Sequence, residues 1–283
     1  MRNDSHAQRS PIDAVFSVVS GITLAVTLVA MGFVACAAFD LPTRMLSQAF
    51  SNDADSPYTK EELVVAAVAA KHYTINDNDR YALYTSMDAV AQSAQADGRT
   101  LPEGLNLYDT YITTSRDTQP VDPTKEDLIM AEYGLSFAEE EPYALTPDAL
   151  SHLDDVYDVI QQAKPWLFAA ALIAYAGCIA VAFRGGKRAL GRVLGGAGAG
   201  VFVAFALLAA WVAVDFNGFF AAFHSLFFAA GTWTFSWDSL LICMYPPEFW
   251  MGMGAIWLAV TVAGCVVCLI IGKLLSSGPS RAA

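Results

Sequence analysis

Four long apolar runs restrict the choice of fold before any other feature is considered. Ile12 to Phe39, Trp166 to Phe183, Val193 to Val214 and Met251 to Leu275 each approach or exceed the span of a lipid bilayer, which takes about 20 apolar residues in a helix. Inside hydrocarbon every backbone N–H and C=O must be paired within its own segment, so runs of this kind predict helices and not open strands. The expected fold class is an all-α membrane protein organised as a four-transmembrane-helix bundle. Phe33-Val34-Ala35-Cys36 faintly resembles a lipoprotein cleavage site, but the first run is too long for a signal peptide's apolar core and further spans follow it. An uncleaved helix is expected there.

Charge divides the chain in the same places. Residues 40–164 hold 23 acidic and 8 basic side chains, while the rest of the chain holds 5 acidic and 8 basic. The expected domains are 1–39, a cytoplasmic tail with the first span; 40–164, an acidic and mainly helical insert; and 165–283, carrying spans two to four. An acidic insert argues against nucleic acid as a partner, since phosphates demand Lys and Arg. Cys36, Cys178, Cys265 and Cys268 lie in apolar runs, Cys243 lies in an aromatic stretch, and the insert has no cysteine. No disulfide framework is expected, and Cys265-x-x-Cys268 inside a span reads as packing.

Within the insert the punctuation is helical. Thr59-Lys60-Glu61-Glu62 forms a capping box ahead of LVVAAVAA, and Asp79 is placed to cap a helix running to about Ala96 with Gly98 beyond it. Asp122-Pro123 opens a helix expected to stop at Gly134, and Leu101 to Gln119 reads as loop. Thr146-Pro147-Asp148 starts TPDALSHLDDVYDVIQQAK, a helix expected to stop or bend at Pro165. Its stripe of Leu150, Leu153, Tyr157 and Ile160 is expected to face the aromatic stretch described next.

Arg2 and Arg9, the RGGKRALGR loop at 184–192, and Lys273 with Arg281 fall on one side of a four-span arrangement. The positive-inside rule makes that side cytoplasmic. Both termini are then cytoplasmic in a multi-pass membrane protein, and the insert 40–164 lies on the opposite, outer side. The stretch 216–250, between spans three and four, shares the insert's side. It contains 12 Phe, Trp or Tyr among 35 residues and two charges, Asp238 and Glu248, and Gly231, Pro246 and Pro247 interrupt it. Such a segment predicts interfacial or re-entrant backbone that enters the leaflet without crossing it.

Topology therefore places His152 and His224 on one face of the membrane although 72 residues separate them. His152 has Asp155 one turn onward and Asp148 one turn back, a spacing at which a carboxylate can hold an imidazole in one tautomer. From that helix alone, a solvated histidine on an acidic face is the preferred reading. His224 stands among Phe220, Phe223, Phe227 and Phe228 at one-turn spacings, with Asn217 two turns earlier on the same face. It reads either as a core histidine bonded to a freed carbonyl or as a functional group, since polar groups at membrane depth are costly. Phe220, Phe223, Phe227 and Trp233 are candidates to line whatever pocket it faces. His6 in the tail and His72 at a helix end, where a cation suits the dipole, carry no chemistry on this reading. The sequence contains no GxSxG, HExxH, P-loop or GxGxxG motif, no HxxxxD motif starts at His152 or His224, where Tyr157 and Ala229 stand five residues on, and Ser225 beside His224 points about 100° away on a helix. A metal on His152, His224 and Asp155 would lack further ligands at a recognisable spacing. No metal and no cofactor are expected.

FFAAFHSLFFAAGTWTFSWDSLLICMYPPEFW resembles the signature of a four-span bacterial membrane family that includes the lipoprotein intramolecular transacylase. SHLDDV resembles that family's second signature, a HisxxAspVal element just before span two. The resemblance places the family's two histidines on His152 and His224; Asp155 and Asn217 are the supporting residues that helical spacing offers beside them. Where related sequences carry Asn and an acidic residue after FHxxFF, this chain has Ala229-Ala230-Gly231-Thr232. The resemblance implies transfer of an acyl chain within a diacylglyceryl lipoprotein, with membrane lipids and that lipoprotein as partners. A reaction whose donor ester and acceptor amine belong to one substrate needs no enzyme nucleophile, only a base, an oxyanion donor and an apolar cleft. The competing reading is a non-catalytic membrane protein whose acidic outer domain binds an extracellular partner or senses a ligand. A transporter is weaker, because no span carries a buried charge apart from the terminal Asp13 and Asp215, and no inverted repeat is visible.

Overall fold

The computed structural model describes residues 10–101 and 141–277. The helix expected from Asp122-Pro123 to Gly134, nearly all of the Leu101–Gln119 loop, and Arg2, His6, Arg9 and Arg281 lie outside the described residues. Every regular element described is helical. The order is α1 (Pro11–Ala37), α2 (Asp40–Phe50), α3 (Lys60–His72) with a π-helical turn Tyr73–Asp77, α4 (Arg80–Ala96), α5 (Pro147–Val214), α6 (Phe216–His224), α7 (Leu240–Met244) and α8 (Pro247–Ser276). Three of them, α1, α5 and α8, are long and apolar enough to cross a membrane.

Local chemistry sets the helix starts. Both hydrogen bonds of the Thr59–Glu62 capping box are formed at α3, Asp79 accepts from the Ala82 amide at α4, and Thr146 accepts from the Ala149 amide at α5. Proline opens α1, α5 and α8, where its missing N–H costs nothing. Of the stop or bend expected at Pro165, the stop is corrected. Helical backbone continues through Pro165, and the single break in α5 falls at Gly186 (φ 71°), a conformation that only glycine adopts without strain. Val181 packs with Ala189 and Val193. A straight helix would hold Val181 and Val193 about 18 Å apart, so the chain folds back on itself at the Gly185-Gly186 pair. A neighbouring helix turn can absorb the proline's missing bond, whereas a left-handed glycine ends the helical path.

The chain divides into two compact units. One consists of the described parts of Met1–Cys36, Gln162–Phe220 and Ala255–Ala283. Glycines set its helix approaches: a Cβ on Gly32 would sit 2.1 Å from Trp257, one on Gly177 2.3 Å from Ser20, and one on Gly191 2.6 Å from the Gly272 carbonyl. Contacts this close draw on the packing role of small residues. Trp257 also donates its indole N–H to the Val29 carbonyl at 2.9 Å. Asp13 receives Arg184 at 2.7 Å, and Gly191 lies against Leu275 and Ser276. The start of α1, the basic loop and the end of α8 therefore share one end of this unit.

The other unit comprises the described parts of Ala37–Gln161 together with Ala221–Gly254. One core joins α3, α4, the first turns of α5 and the second half of the aromatic stretch: Leu63, Leu83, Met87, Leu150, Leu153, Leu240, Met244 and Phe249 are all buried in it. The sequence reads this whole stretch as boundary backbone, but Leu240 to Phe249 is core. Its backbone is tied in as well. Leu240 donates to the Glu141 carbonyl at 2.9 Å, the Asn52 amide donates to the Cys243 carbonyl at 2.9 Å, and the Tyr245 hydroxyl donates to the Ala67 carbonyl. At the edge of the same core Glu62 forms a part-buried, two-pronged pair with Arg99 at 2.6 and 2.8 Å.

Candidate active site

The second unit brings the two histidines together. His152 occupies the second turn of α5 and His224 the last residue of α6, and their ring centroids lie 6.2 Å apart with planes tilted by 30°. Phe228 bridges them, 4.9 Å from the His152 ring and 5.8 Å from the His224 ring. Phe235 lies 5.7 Å from His152, and Trp233 lies 4.9 Å from His224 with planes 31° apart. Phe223, 5.8 Å from His224, and Phe227, 5.3 Å from Phe223, extend the wall outward. Gly231 (φ 91°) makes the turn that returns the chain from Phe228 to Trp233, a backbone state costly for any residue with a Cβ. Ser236 then fixes the returning strand of chain by donating its amide to the Glu141 carboxylate at 3.2 Å.

This apolar surround decides the protonation of His152. Burial, and secondarily the neighbouring His224, push its pKa down from 6.5 to about 4, because charge is disfavoured both by desolvation and by a like-charged neighbour. The ring is therefore neutral at physiological pH. Its Nδ1 is buried with no hydrogen-bond partner among the described residues, a feature that ordinarily costs a folded protein free energy. Ser225 beside His224 donates its hydroxyl to the Ala222 carbonyl at 2.8 Å, so the neighbouring serine is committed to the helix.

The other sequence candidates are distributed unevenly. Trp233, Phe223 and Phe227 join the histidine cluster. Asn217 and Phe220 belong to the other unit, and Phe220 stacks at 5.6 Å on Phe216. Asp155 is exposed, and the unpartnered Nδ1 means that it does not hold His152 through that atom. The carboxylate that organises this turn is Asp154. It accepts from the Tyr73 hydroxyl, from Asn78 at 2.9 Å and from Arg80 at 2.5 Å, while Arg80 also donates to the Tyr73 oxygen at 2.9 Å. Burial and the Asp154 bond raise the Tyr73 pKa, so its phenol stays a donor. Sequence spacing missed this clamp, although a helical wheel holds the signal. Asp154 borders the Leu150–Leu153 face, and Asp155 points nearly opposite it. His72 pairs with Asp40 at 3.0 Å and with Asn76 at 2.8 Å, which gives it a structural place.

The family model of lipoprotein intramolecular transacylase Lit matches residues 63–250, a range that contains every residue of the histidine cluster. Among solved structures, the membrane-integral lipoprotein intramolecular transacylase Lit from Bacillus cereus is similar at 15% identity and TM-score 0.60, with 93% of this chain and 95% of that chain covered. A histidine-to-arginine variant of the same Bacillus cereus protein is similar at 15% identity and TM-score 0.59, covering 93% of this chain and 92% of that one. At this identity the likeness speaks for the fold. No curated protein sequence matches the chain.

Proposed function

The chain belongs to the lipoprotein intramolecular transacylase Lit family, and on that premise we propose that it transfers an acyl chain within a single bacterial lipoprotein. The substrate is a lipoprotein whose N-terminal cysteine carries a diacylglyceryl group. The sn-2 acyl chain moves to that cysteine's own α-amine, leaving a lyso-form lipoprotein. The observation that carries this reading is the pair of imidazoles 6.2 Å apart in an aromatic enclosure, one of them kept neutral by its surroundings.

The chemistry balances without water or an outside acyl carrier. The amine nitrogen bonds to the ester carbonyl carbon, the ester C–O bond breaks, and the amine's proton ends on the glyceryl oxygen. One ring takes the proton from the attacking amine while the other donates a hydrogen bond to the ester oxygen. Two rings this close resist carrying two charges, so the pair takes up one proton beyond those of its neutral rings, as a proton passed from amine to alkoxide requires. Phe228, Phe235 and Trp233 exclude water, which would otherwise hydrolyse the ester, and strengthen every hydrogen bond made inside. Donor and acceptor arrive joined, so positioning supplies much of the rate.

Four membrane crossings are supported by α1, α8 and α5, with α5 contributing two, one before and one after Gly186. Asp13 beside Arg184, Ser20 beside Gly177, Gly32 beside Trp257 and Gly198 beside Cys265 are the register of antiparallel neighbours. On this reading both termini and the 184–192 loop are cytoplasmic, and residues 40–164 and the histidine cluster face outward. The test is expression of the protein in a bacterial host defective in its own lipoprotein N-acylation, followed by mass spectrometry of lipoprotein N-termini. The expected product is an N-acylated lyso-form. Unmodified diacylglyceryl N-termini with a folded, inserted protein would leave the non-catalytic reading in its place.

A further inference from the structure

Helix α2 is inverted relative to an ordinary surface helix. Its fully buried residues are polar, Thr43 and Ser47 both being 0% exposed with Leu46 partly buried against the core beside them, whereas Leu41 is 63% and Met45 61% exposed on its outward line. Phe39 just before the helix and Phe50 at its end are also exposed. Leu41 and Met45 stand four residues apart and so form one stripe. The helix has a single acid, Asp40, and its carboxylate is taken by Lys71 and His72 at 3.0 Å each. The remaining charge is Arg44, which is exposed. Within an insert carrying 23 acidic side chains, this face is apolar and cationic.

Chain continuity points to what covers it. Helix α1, apolar and of membrane-crossing length, ends at Ala37, and α2 begins at Asp40. A short helix that starts where the chain leaves a bilayer, with an apolar stripe and a cation beside it, has the make-up of an in-plane interfacial helix. A protein partner fits less well. Four side chains fall short of the roughly 800 Å² per side that a stable protein interface buries. We propose that α2 lies in the headgroup region of the leaflet, with Phe39, Leu41 and Met45 reaching the acyl boundary and Arg44 on the phosphates of anionic phospholipid. The proposal rests on α1 being a membrane span and is independent of the transacylase reading.

The full chain carrying p-benzoylphenylalanine at Met45, in vesicles of phosphatidylglycerol and phosphatidylcholine, tests this directly. Irradiation followed by mass spectrometry should yield phospholipid adducts at least tenfold more abundant than those from the same probe at Ala89, an exposed position of α4. A second placement at Leu41 guards against a local defect. Adducts should favour phosphatidylglycerol over its bulk share, and Arg44→Ala should abolish that preference. Cross-links to a second copy of the chain, or no lipid adducts from either Leu41 or Met45, would overturn the proposal.

Discussion

Replacing Asp154 with alanine separates what holds the site from what performs the chemistry. Asp154 touches neither ring, yet it binds the turn of α5 that carries His152 to Tyr73, Asn78 and Arg80. The Arg80–Asp154 pair is part-solvated, with side-chain exposures of 21% and 35%, so it contributes about 1 kcal/mol after screening. The bonds from the Tyr73 hydroxyl and from Asn78 to a charged acceptor add about 1 kcal/mol each. Asp154→Ala should therefore destabilise the protein by about 3 kcal/mol, and Asp154→Asn, which keeps an acceptor, by less. A displacement of the His152 ring by about 1 Å would cost about 10²-fold in rate. In purified protein acting on a diacylglyceryl-cysteine lipopeptide, kcat should fall by about 10- to 100-fold in the alanine variant, with KM nearly unchanged and partial recovery in the asparagine variant. Thermal unfolding in detergent supplies the stability side. A variant that loses its expected stability but keeps full kcat would refute the idea that this clamp positions His152.

Three further outcomes follow from the charges and rings already placed. The folded protein holds His152 near pKa 4 against 6.5 when exposed, so the unfolded chain binds the extra proton and stability falls as pH drops from 6.5 towards 4. His152→Phe should weaken that acid sensitivity, and an equal pH dependence in both proteins would count against a buried neutral ring. Burial raises the Glu62 pKa, but Arg99 and the Thr59 amide outweigh it and hold the carboxyl at about 2. Its contribution is full above 4.5 and fades as pH falls through 2. Arg99→Met should cost about 3 kcal/mol at neutral pH by stranding that carboxylate, measured by denaturation, and the loss should shrink in acid. Phe228→Ala opens the enclosure around both rings, so the His152 pKa should rise towards 6.5 in a histidine-selective NMR titration and kcat should fall at least tenfold.

How much of this was legible in the sequence depended on the range of the interaction. Caps are local, and Thr59–Glu62, Asp79 and Thr146 read correctly because each bond spans three residues. The meeting of His152 and His224 was legible through topology, since counting apolar runs and basic loops put both on one side. The Arg80–Asp154 clamp was not, because the two residues are 74 apart and an acidic helix offers several equivalent carboxylates. Pro165 does not stop the helix because a proline weakens only one turn, while the positive φ of Gly186 redirects the whole chain. Leu240 to Phe249 shows the limit of composition, because an aromatic, uncharged segment satisfies a lipid boundary and a protein core equally well. Its place in the core is settled by hydrogen bonds from Leu240, Tyr245 and Asn52 that no local pattern announces.

The proposal at the centre of this account is that His152 and His224, by moving a proton and bonding the ester oxygen, assist direct transfer of an acyl chain from ester to amine within one substrate molecule. The most direct measurement uses the purified protein in lipid with two synthetic diacylglyceryl-cysteine peptides, one isotopically heavy in its sn-2 chain and one heavy in its peptide. Tandem mass spectrometry then locates the label in each product. The account predicts the heavy acyl chain on the amine of its own peptide, no exchange between peptides, no free fatty acid, and no product from His152→Ala or His224→Ala. Label released as fatty acid, label crossing between peptides, or full activity in either histidine variant would contradict it.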